Sequence, residues 1–576
     1  MKRAVSITAL AVLLCAAATP SIQPAPWQSI RPASAAHAMV ATEQHYATQV
    51  GIDILKRGGN AVDAAIAVAY ALAVVDPCCG NIGGGGFMLV RMNDGRERFI
   101  DFREKAPLRA NPHMYLDAEG NVIPHASTKG YLAVGVPGTV MGMERARQEF
   151  ATMQRHELMA PAIFLAQKGF RIGPGDAAIF KGARGVDSPY TFENQPNVKA
   201  IFMNDGRLPQ PGTVLRQPQL AQTLKLIAQD GERAFYDGPI AKAVTDASYK
   251  EGGMLSMDDF KNYTVGEQAP IHCSYRGYDV ISAPPPSSGG VTLCEILNIT
   301  AAYPLHEWGW HSEQSAHYVI EAERRAYADR NTYLGDPAFV QNPITDLLSQ
   351  GYAAKLRASI SADKATPSVQ IHPGLGPVAH ENDETTHFSI VDKWGNAVAV
   401  TYTINDAFGA GVIAGDTGFF LNDEMDDFTS KPGVPNMFGL VQGVRNDIEP
   451  GKRPLSSMTP TIITKNGKLF MVTGSPGGAR IITIVLSTIQ NVLDYGMNVQ
   501  QAVNAPRIHM QWLPDEIQAE PDALDANATS ALTAMGYTIK EISSWGSAQA
   551  VLVDPKTGMR YGGTDRRHPA GLAAGY

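Results

Sequence analysis

Cysteine, basic clusters and long apolar segments are scarce in this sequence, and each scarcity excludes a class of protein. The chain of 576 residues has five cysteines, too few for a disulfide framework and without the spacing of a zinc site. Its net charge is −8, and because no basic stripe is present we expect no nucleic-acid partner. No internal repeat occurs, and beyond the first residues no segment is apolar enough for a membrane span.

The first residues have the pattern of an export signal. Lys2-Arg3 precede an apolar run from Ala4 to Ala18, which is short for a bilayer span, and a proline-rich segment follows. We therefore assign residues 1–36 to a signal peptide and leader and expect a periplasmic or secreted protein without a membrane anchor. Small-residue cleavage patterns occur at Ala16-Ala17-Ala18 and at Ala33-Ser34-Ala35, and both remain open.

Four cysteines follow the leader, at positions 78, 79, 273 and 294. The neighbours Cys78 and Cys79 would form a bridge only with strain. Two alternatives remain, namely one bridge between Cys273 and Cys294 or a set of buried free thiols.

The composition of the chain changes abruptly at Thr385. A polar run with three prolines, about residues 359–384, gives way to two alternating segments, 385–391 and 397–405, which are separated by a Gly-Asn turn. This pattern predicts a β-hairpin. A chain that is cut before Thr385 would show such a change at its cleavage site, and an ordinary threonine-rich strand pair is the alternative.

The length of the hairpin loop decides which side chains Thr385 meets. A three-residue loop pairs Thr385 with Asn405, and a five-residue loop pairs it with Thr403. Because side chains alternate along a strand, either loop places all three residues on one face. A four-residue loop would set Thr385 across from Ile404 and separate them.

Elsewhere the sequence alternates helical and strand patterns. The glycines of 80–86 precede a strand, whereas phosphate loops precede helices, so we interpret them as sites of close backbone approach. A helix is predicted at 311–333, and the charges between its residues 317 and 333 indicate a solvated or ion-paired face. Further helices are predicted at 45–55, 61–75, 157–168, 217–229, 238–249 and 481–493, and further strands at 88–92, 461–464 and 469–473.

Three segments carry candidate chemistry. Arg103 ends a strand and would usually form a surface ion pair, unless a site there holds an anion. Four carboxylates lie within residues 423–427, and they predict a metal loop, a solvated turn or an ammonium-binding edge. In 474–481 a strand, a glycine pair and a helix start follow one another, which is the arrangement that aims backbone N–H groups at a developing anion.

A threonine at a new chain terminus would unite these segments in one mechanism. A threonine hydroxyl is a poor nucleophile without a base. Cleavage between Glu384 and Thr385 would free an α-amino group with a pKa of about 7.7–8.0, which accepts the hydroxyl proton at neutral pH. This mechanism needs no metal, no cofactor and no Ser-His-Asp triad.

Several motifs together resemble the γ-glutamyltranspeptidase family over essentially the whole chain after the leader. In the N-terminal half they are Asn81-x-Gly83-Gly84-Gly85-Gly86 and Asp101-Phe102-Arg103-Glu104. In the C-terminal half they are Thr385-Thr386-His387, Thr403-x-Asn405, Asn422-x-x-Met425-Asp426-Asp427-Phe428, Pro454-Leu455-Ser456-Ser457-Met458 and Gly474-Ser475-Pro476-Gly477-Gly478.

The resemblance implies an α+β N-terminal-nucleophile hydrolase with a four-layer αββα sandwich. Such a protein is made as one precursor and cuts itself into a heterodimer, here a large subunit of residues 37–384 and a small catalytic subunit of 385–576. The implied reaction transfers the γ-glutamyl group of glutathione, glutamine or another γ-glutamyl amide to water or to amino acid, peptide or amine acceptors.

The resemblance also implies a role for each matching residue. Thr385 is the implied nucleophile, and Thr403 is the implied partner of its amine. The remaining roles are an oxyanion hole of Gly477 and Gly478, a carboxylate site of Arg103, Ser456 and Ser457, and an ammonium site of Asn405, Glu424 and Asp427.

Two positions depart from the family pattern. Many bacterial relatives have Gln where this chain has Glu424, and the lid position that is commonly Tyr is Phe438 here. Both departures bear on the ratio of hydrolysis to transfer. The alternative functions are a cephalosporin (glutaryl) acylase, whose donor lacks the α-amine, and an exported binding protein.

Overall fold

A computed structural model describes residues 26–182, 190–373, 385–431, 434 and 443–576. Its strands are β1 Ala33–Ala35, β2 Met39–Thr42, β3 Gly85–Arg91, β4 Glu97–Asp101, β5 Phe170–Arg171, β6 Val214–Leu215, β7 Ile271–Tyr275, β8 Tyr278–Ser282, β9 Thr386–Val391, β10 Ala397–Thr403, β11 Thr461–Lys465, β12 Lys468–Gly474, β13 Ile508–His509, β14 Ile517–Ala519, β15 Ile539–Glu541, β16 Gln549–Val553, β17 Arg560–Thr564 and β18 Leu572–Gly575.

The α-helices are α1 His45–Lys56, α2 Ala61–Val75, α3 Thr139–Phe150, α4 Arg155–Lys168, α5 Pro174–Gly182, α6 Pro196–Phe202, α7 Pro218–Asp230, α8 Glu232–Tyr236, α9 Pro239–Lys250, α10 Met257–Lys261, α11 Gly289–Thr300, α12 Leu305–Trp308, α13 Glu313–Tyr333, α14 Ile344–Leu347, α15 Gln350–Ala358, α16 Arg480–Leu493, α17 Val499–Asn504 and α18 Ala526–Ala534. Short 3-10 helices span Pro26–Ser29, Tyr131–Ala133, Ser368–Gln370, Glu424–Asp427 and Val444–Asn446.

Two antiparallel sheets stack on one another and form the middle of the molecule. One has the strand order β18-β2-β9-β10-β3-β4, and the other has the order β1-β17-β16-β12-β11-β8-β7. Helices α1, α2 and α3 cover the first sheet, and α11, α16 and α17 cover the second. The predicted four-layer αββα sandwich is therefore confirmed.

Side-chain alternation along the central hairpin divides the core. Phe388 and Ile390 of β9 point toward α2, whereas Val391 packs with the opposite sheet. The helix α2 is apolar on all sides because it is wholly buried, and it starts at a capping box in which Asn60 and Asp63 exchange side-chain and backbone hydrogen bonds. Thr385 and His387, with the parity of Val391, therefore belong to the face between the sheets.

The strand register settles the loop of the hairpin. Val391 pairs with Ala397 and Thr386 with Tyr402, so the loop has five residues, 392–396, and continuation of the register places Thr385 opposite Thr403. On its other side β10 pairs with β3, where Thr403 faces Gly85. The hairpin therefore lies between β2 and β3, strands that precede it by about 300 residues.

The predicted elements agree with the structure to within about three residues, but the helix α13 differs in burial. Its charged side chains are buried rather than solvated, which makes the solvated alternative wrong. The ion-paired alternative is confirmed for Glu321, which pairs with Arg324 at 3.4 Å and with Arg325 at 2.5 Å. Because α13 is enclosed by other helices, among them α11 and α18, its charged side chains need partners within the protein.

Both pairs of cysteines are bridged in this structure. Cys273 is bonded to Cys294, with 5.8 Å between their Cα atoms, so the free-thiol alternative is wrong for this pair. Cys78 and Cys79 are also bonded to one another, against our expectation.

The residues that we assigned to the leader include the strand β1. β1 pairs with β17 through Ala33 and Gly562, and it falls within the residues that we assigned to the leader. Cleavage at the pattern of 16–18 would leave β1 in the mature chain, and cleavage at that of 33–35 would remove it from the sheet edge. Within the described ranges, each helix is too short or too polar to cross a membrane.

Candidate active site

A single cavity contains most of the residues that the sequence analysis selected. Its empty space is about 270 Å³, including the part that is open to solvent. The lining residues are Arg103, Thr385, Asn405, Glu424, Asp427, Ser456, Ser457, Met458, Gly478 and Ile481. They come from both halves of the chain, because the hairpin and the loops of the N-terminal half converge on one end of the stacked sheets.

Thr385 lies immediately before β9 and is 6% exposed. Thr403, at the end of β10 and opposite Thr385, is not part of the cavity lining. The Thr403 hydroxyl accepts a 2.8 Å hydrogen bond from the backbone N–H of Asn405. Gly84 packs so closely here that an added Cβ would lie 1.8 Å from the Thr403 carbonyl oxygen, which confirms close backbone approach for this part of the glycine run.

His387 is excluded as the general base by its surroundings. Its ring nitrogens lie 2.8 Å from the hydroxyl of Thr401 and 3.0 Å from that of Ser389, between the two sheets. Burial lowers the pKa of His387 to about 3, so the ring stays neutral at physiological pH. The base must therefore come from another group near Thr385.

The glycine pair lies between β12 and α16, as predicted. Gly477 has a φ of 131° and Gly478 a φ of 47°, values that residues with a side chain rarely adopt. Gly478 lines the cavity, as Thr385 does, whereas Gly477 is not part of the lining. The two backbone N–H groups thus stand at the start of a helix, where its dipole favours negative charge.

Arg103 is completely buried, so its interpretation as a surface ion pair is wrong. Its guanidinium donates one hydrogen bond to Glu424 and one to Asp427, and its Nε donates to the carbonyl oxygen of Pro454 at 3.3 Å. Although burial alone would lower it, the two carboxylates hold the pKa of Arg103 above its ordinary value. In the free protein the predicted carboxylate site and ammonium site therefore neutralise one another.

Asn422 fixes the position of Glu424. Its amide group donates to the carbonyl oxygens of Gly83 at 2.8 Å and Gly135 at 2.9 Å, and its Oδ1 accepts the backbone N–H of Glu424 at 3.0 Å. The 3-10 helix of residues 424–427 is held in this way against the N-terminal half. The interpretation of 423–427 as a solvated turn is wrong, because four of the five side chains are buried.

Glu104 adds a third carboxylate that the sequence analysis did not select. Its Oε2 lies 3.6 Å from Nη1 of Arg103, and both its oxygens are buried without a hydrogen-bond partner within the described ranges. Burial raises the pKa of Glu104 to about 7, and burial also raises the pKa values of Glu424 and Asp427. One guanidinium thus faces three carboxylates, an excess of negative charge that favours a bound cation.

Ser456 and Ser457 lie in the loop before β11. The Ser456 hydroxyl accepts the N–H of Met458 at 3.2 Å, and the Ser457 hydroxyl accepts from Arg330 at 2.9 Å. Met458 and Ile481 provide an apolar wall that the sequence analysis also missed. Glu104 and Met458 belong to quoted motifs and Ile481 lies three residues after one, so their position in the sequence was a usable signal, whereas Arg330 had none.

Part of the predicted site lies outside the described residues. This applies to Phe438, at the predicted lid position, and to Glu384, on the other side of the proposed cleavage point.

Comparisons with known proteins agree with this geometry. The family model for gamma-glutamyltranspeptidase matches residues 47–575. The chain is 54% identical over 554 residues to a glutathione hydrolase proenzyme of Pseudomonas sp. strain A14, covering 95% of each chain. It is 46% identical over 585 residues to a glutathione hydrolase proenzyme of Escherichia coli K12, covering 100% of this chain and 99% of that one.

A solved structure has the same fold at lower identity. The crystal structure of a cephalosporin acylase from Bacillus halodurans superposes with a TM-score of 0.83 at 28% identity, covering 97% of this chain and 99% of the other. The match of the family model over nearly the full length, together with the two close relatives, is decisive. This chain belongs to the γ-glutamyltranspeptidase family.

Proposed function

We propose that this protein transfers the γ-glutamyl group of glutathione and related γ-glutamyl amides through an acyl intermediate on Thr385. It is a γ-glutamyltransferase with glutathione hydrolase activity. The observation that carries the residue assignment is the cavity itself, which Thr385 lines together with the guanidinium of Arg103 and the carboxylates of Glu424 and Asp427. A γ-glutamyl group carries an α-carboxylate and an α-ammonium on one carbon, and these charges match the cavity.

When the donor binds, its two charges replace the ion pairs that Arg103 makes with Glu424 and Asp427 in the free site. Its carboxylate binds Arg103, Ser456 and Ser457, and its ammonium binds Glu424 and Asp427 together with Asn405. Because each buried charge keeps a partner throughout, binding avoids the cost of an unpaired ion. The γ-carbonyl is then held against Thr385.

The reaction proceeds in two acyl transfers. The freed amine of Thr385, held by Thr403, takes the hydroxyl proton while the oxygen attacks the γ-carbonyl carbon. The backbone N–H groups of Gly477 and Gly478 stabilise the resulting oxyanion. The proton passes to the leaving amine, and water or an acceptor amine then releases the γ-glutamyl group from the ester and restores the hydroxyl.

The precursor cuts itself between Glu384 and Thr385, which gives chains of 37–384 and 385–576. Both chains contribute strands to both sheets. In one sheet β2, β3 and β4 of the larger chain lie among β9, β10 and β18 of the smaller, and in the other β7 and β8 of the larger chain extend β11, β12, β16 and β17 of the smaller. Cleavage therefore leaves the two chains locked in a common core. We further propose export to the periplasm or the medium through the leader, and amino acids, peptides and amines as acceptors.

The donor specificity tests this function against the acylase alternative. A glutaryl anilide lacks only the α-ammonium of a γ-glutamyl anilide, so it leaves Glu424 and Asp427 without their cation. We expect its kcat/KM to be lower on the order of 10²-fold, for a loss of about 3 kcal/mol. Glu424→Gln removes one negative charge from the site, so it should reduce the difference in kcat/KM between the two donors. Equal kcat/KM values for the two donors on the unmodified enzyme would favour the acylase function.

The same donor pair predicts a pH dependence. Burial raises the pKa of Glu104 to about 7 and also raises the pKa values of Glu424 and Asp427. These carboxylates therefore gain protons as the pH falls, and they lose their attraction for the ammonium. The ratio of kcat/KM for the γ-glutamyl donor to that for the glutaryl donor should therefore fall between about pH 7.5 and about pH 5. The Thr385 amine affects both donors and cancels in the ratio. A ratio that is constant with pH would contradict the assignment of the ammonium site.

A further inference from the structure

Arg330 is a second buried guanidinium close to the cavity, although it does not line it. It lies near the end of α13 and is 1% exposed. Its Nη2 donates to the Ser457 hydroxyl at 2.9 Å, its Nε donates to the Ser288 hydroxyl at 2.7 Å, and its Nη1 donates to Asn331 at 2.8 Å. Two of these three bonds lead toward the predicted carboxylate site.

The bond to Ser457 sets the direction of that hydroxyl. A serine oxygen has one proton to donate and two lone pairs that accept. Since Arg330 occupies a lone pair of Ser457, the Ser457 proton is directed away from Arg330. A charged donor on the oxygen also polarises the O–H bond and strengthens the hydrogen bond that it gives.

The bond to Ser288 reaches the neighbouring residue of the same site. The Ser288 hydroxyl accepts from Arg330 and donates to the carbonyl oxygen of Ser456 at 2.7 Å. The backbone N–H of Ser288 donates to the same carbonyl at 2.7 Å. Arg330 is thus connected to Ser457 through its side chain and to Ser456 through one intervening hydroxyl.

We propose that Arg330 is a positioning residue for the donor α-carboxylate, acting through Ser457 and Ser456. It presents the Ser457 hydroxyl as a donor and adds a second positive charge behind the anion, which also opposes the rise in the pKa of Asp427. This inference rests on the proposed function, in which Arg103, Ser456 and Ser457 bind that carboxylate. The positive charge and the hydroxyl relay together favour a carboxylate over a neutral group.

The test compares two donors that differ only in the α-carboxylate, a γ-glutamyl anilide and a 4-aminobutyryl anilide. Arg330→Gln should raise KM for the γ-glutamyl donor about tenfold with kcat changed less than about threefold, and it should leave kcat/KM for the 4-aminobutyryl donor unchanged. Arg330→Lys should recover part of the loss because it keeps the charge. In combination with Ser457→Ala, Arg330→Gln should cost less than the product of the two single effects.

Arg325→Gln is the matched control, since Arg325 is buried on the same helix and binds Glu321 and Ser359 instead. It should not change the preference between the two donors. An equal loss for both donors in Arg330→Gln, or no loss, would overturn the proposal. If Arg330→Gln does not fold, Ser288→Ala provides a second test. It should raise KM for the γ-glutamyl donor alone, and an equal effect on both donors would also overturn the proposal. A native enzyme that does not prefer the γ-glutamyl donor would instead contradict the proposed function.

Discussion

Replacement of Thr385 by alanine should leave a single uncut chain without measurable transferase or hydrolase activity. One hydroxyl serves both proposed reactions, because Thr385 lines the cavity and immediately follows the bond proposed for self-cleavage. Loss of a nucleophile from a hydrolase lowers kcat on the order of 10⁴-fold or more. Thr385→Ser should retain part of both processing and activity, since it keeps the hydroxyl and the terminal amine. Denaturing gels and donor hydrolysis measure the two effects separately.

The neighbouring threonine provides a matched control for this experiment. Thr386 faces α2 rather than the opposite sheet, and its hydroxyl donates to the buried carboxylate of Glu43. Thr386→Ser preserves that bond, so this variant should be cut and active. Cleavage of the Thr385→Ala chain at the same bond, directly after Glu384, would show that another protease makes the cut, and self-processing would be refuted.

Replacement of Arg103 should give the second largest effect, a loss of about 2–5 kcal/mol in kcat/KM for γ-glutamyl donors, or roughly 30- to 5,000-fold. Arg103→Gln removes the partner of the donor carboxylate and also the cation that neutralises Glu424 and Asp427. Arg103→Lys should lose less, because it keeps the charge, although it cannot reproduce the planar fork. Steady-state kinetics on cleaved enzyme checks both variants.

Arg453 offers a comparison of the same residue type. It is 7% exposed, lies three residues before Ser456 and approaches Asp101 at 3.3 Å, but it does not line the cavity. Arg453→Lys should therefore affect the stability of the fold more than the choice of donor. A normal kcat/KM in Arg103→Gln would show that Arg103 does not bind the donor.

Local sequence patterns predicted the individual helices and strands of this fold better than they predicted which strands pair with one another. Alternation identified the hairpin at 385–405, because its outer residues pack on α2 and its inner ones face a sheet. Alternation could not choose between the three loop lengths, since a turn of Asp, Gly and Asn suits several of them. The five-residue loop is fixed by pairing of β9 with β2 and of β10 with β3, contacts over about 300 residues.

The residues of the site, like the strand pairs, come from distant parts of the sequence, so local patterns could not group them. Arg103 and Glu424 are 321 positions apart, and only the resemblance to a family brought them together before the structure did. The ion pair between Arg103 and Glu424 was not predicted. Our expectation assigned the arginine to the carboxylate site and the acidic loop to the ammonium site, and it considered no contact between the two sites. The burial of α13 was missed because i,i+4 charge pairs have the same sequence pattern on a solvated helix and on a helix enclosed by others, as α13 is by α11 and α18.

The most direct test of the central claim is the N-terminal sequence and mass of the chains in an active preparation. Self-cleavage at the proposed bond predicts two chains, of which the smaller has the 192 residues from Thr385 to Tyr576 and begins Thr-Thr-His-Phe. Its appearance should parallel the gain of activity when purified precursor is incubated alone. A fully active preparation that contains only the uncut chain would contradict the account, because its base, the amine of Thr385, would then be bound in a peptide.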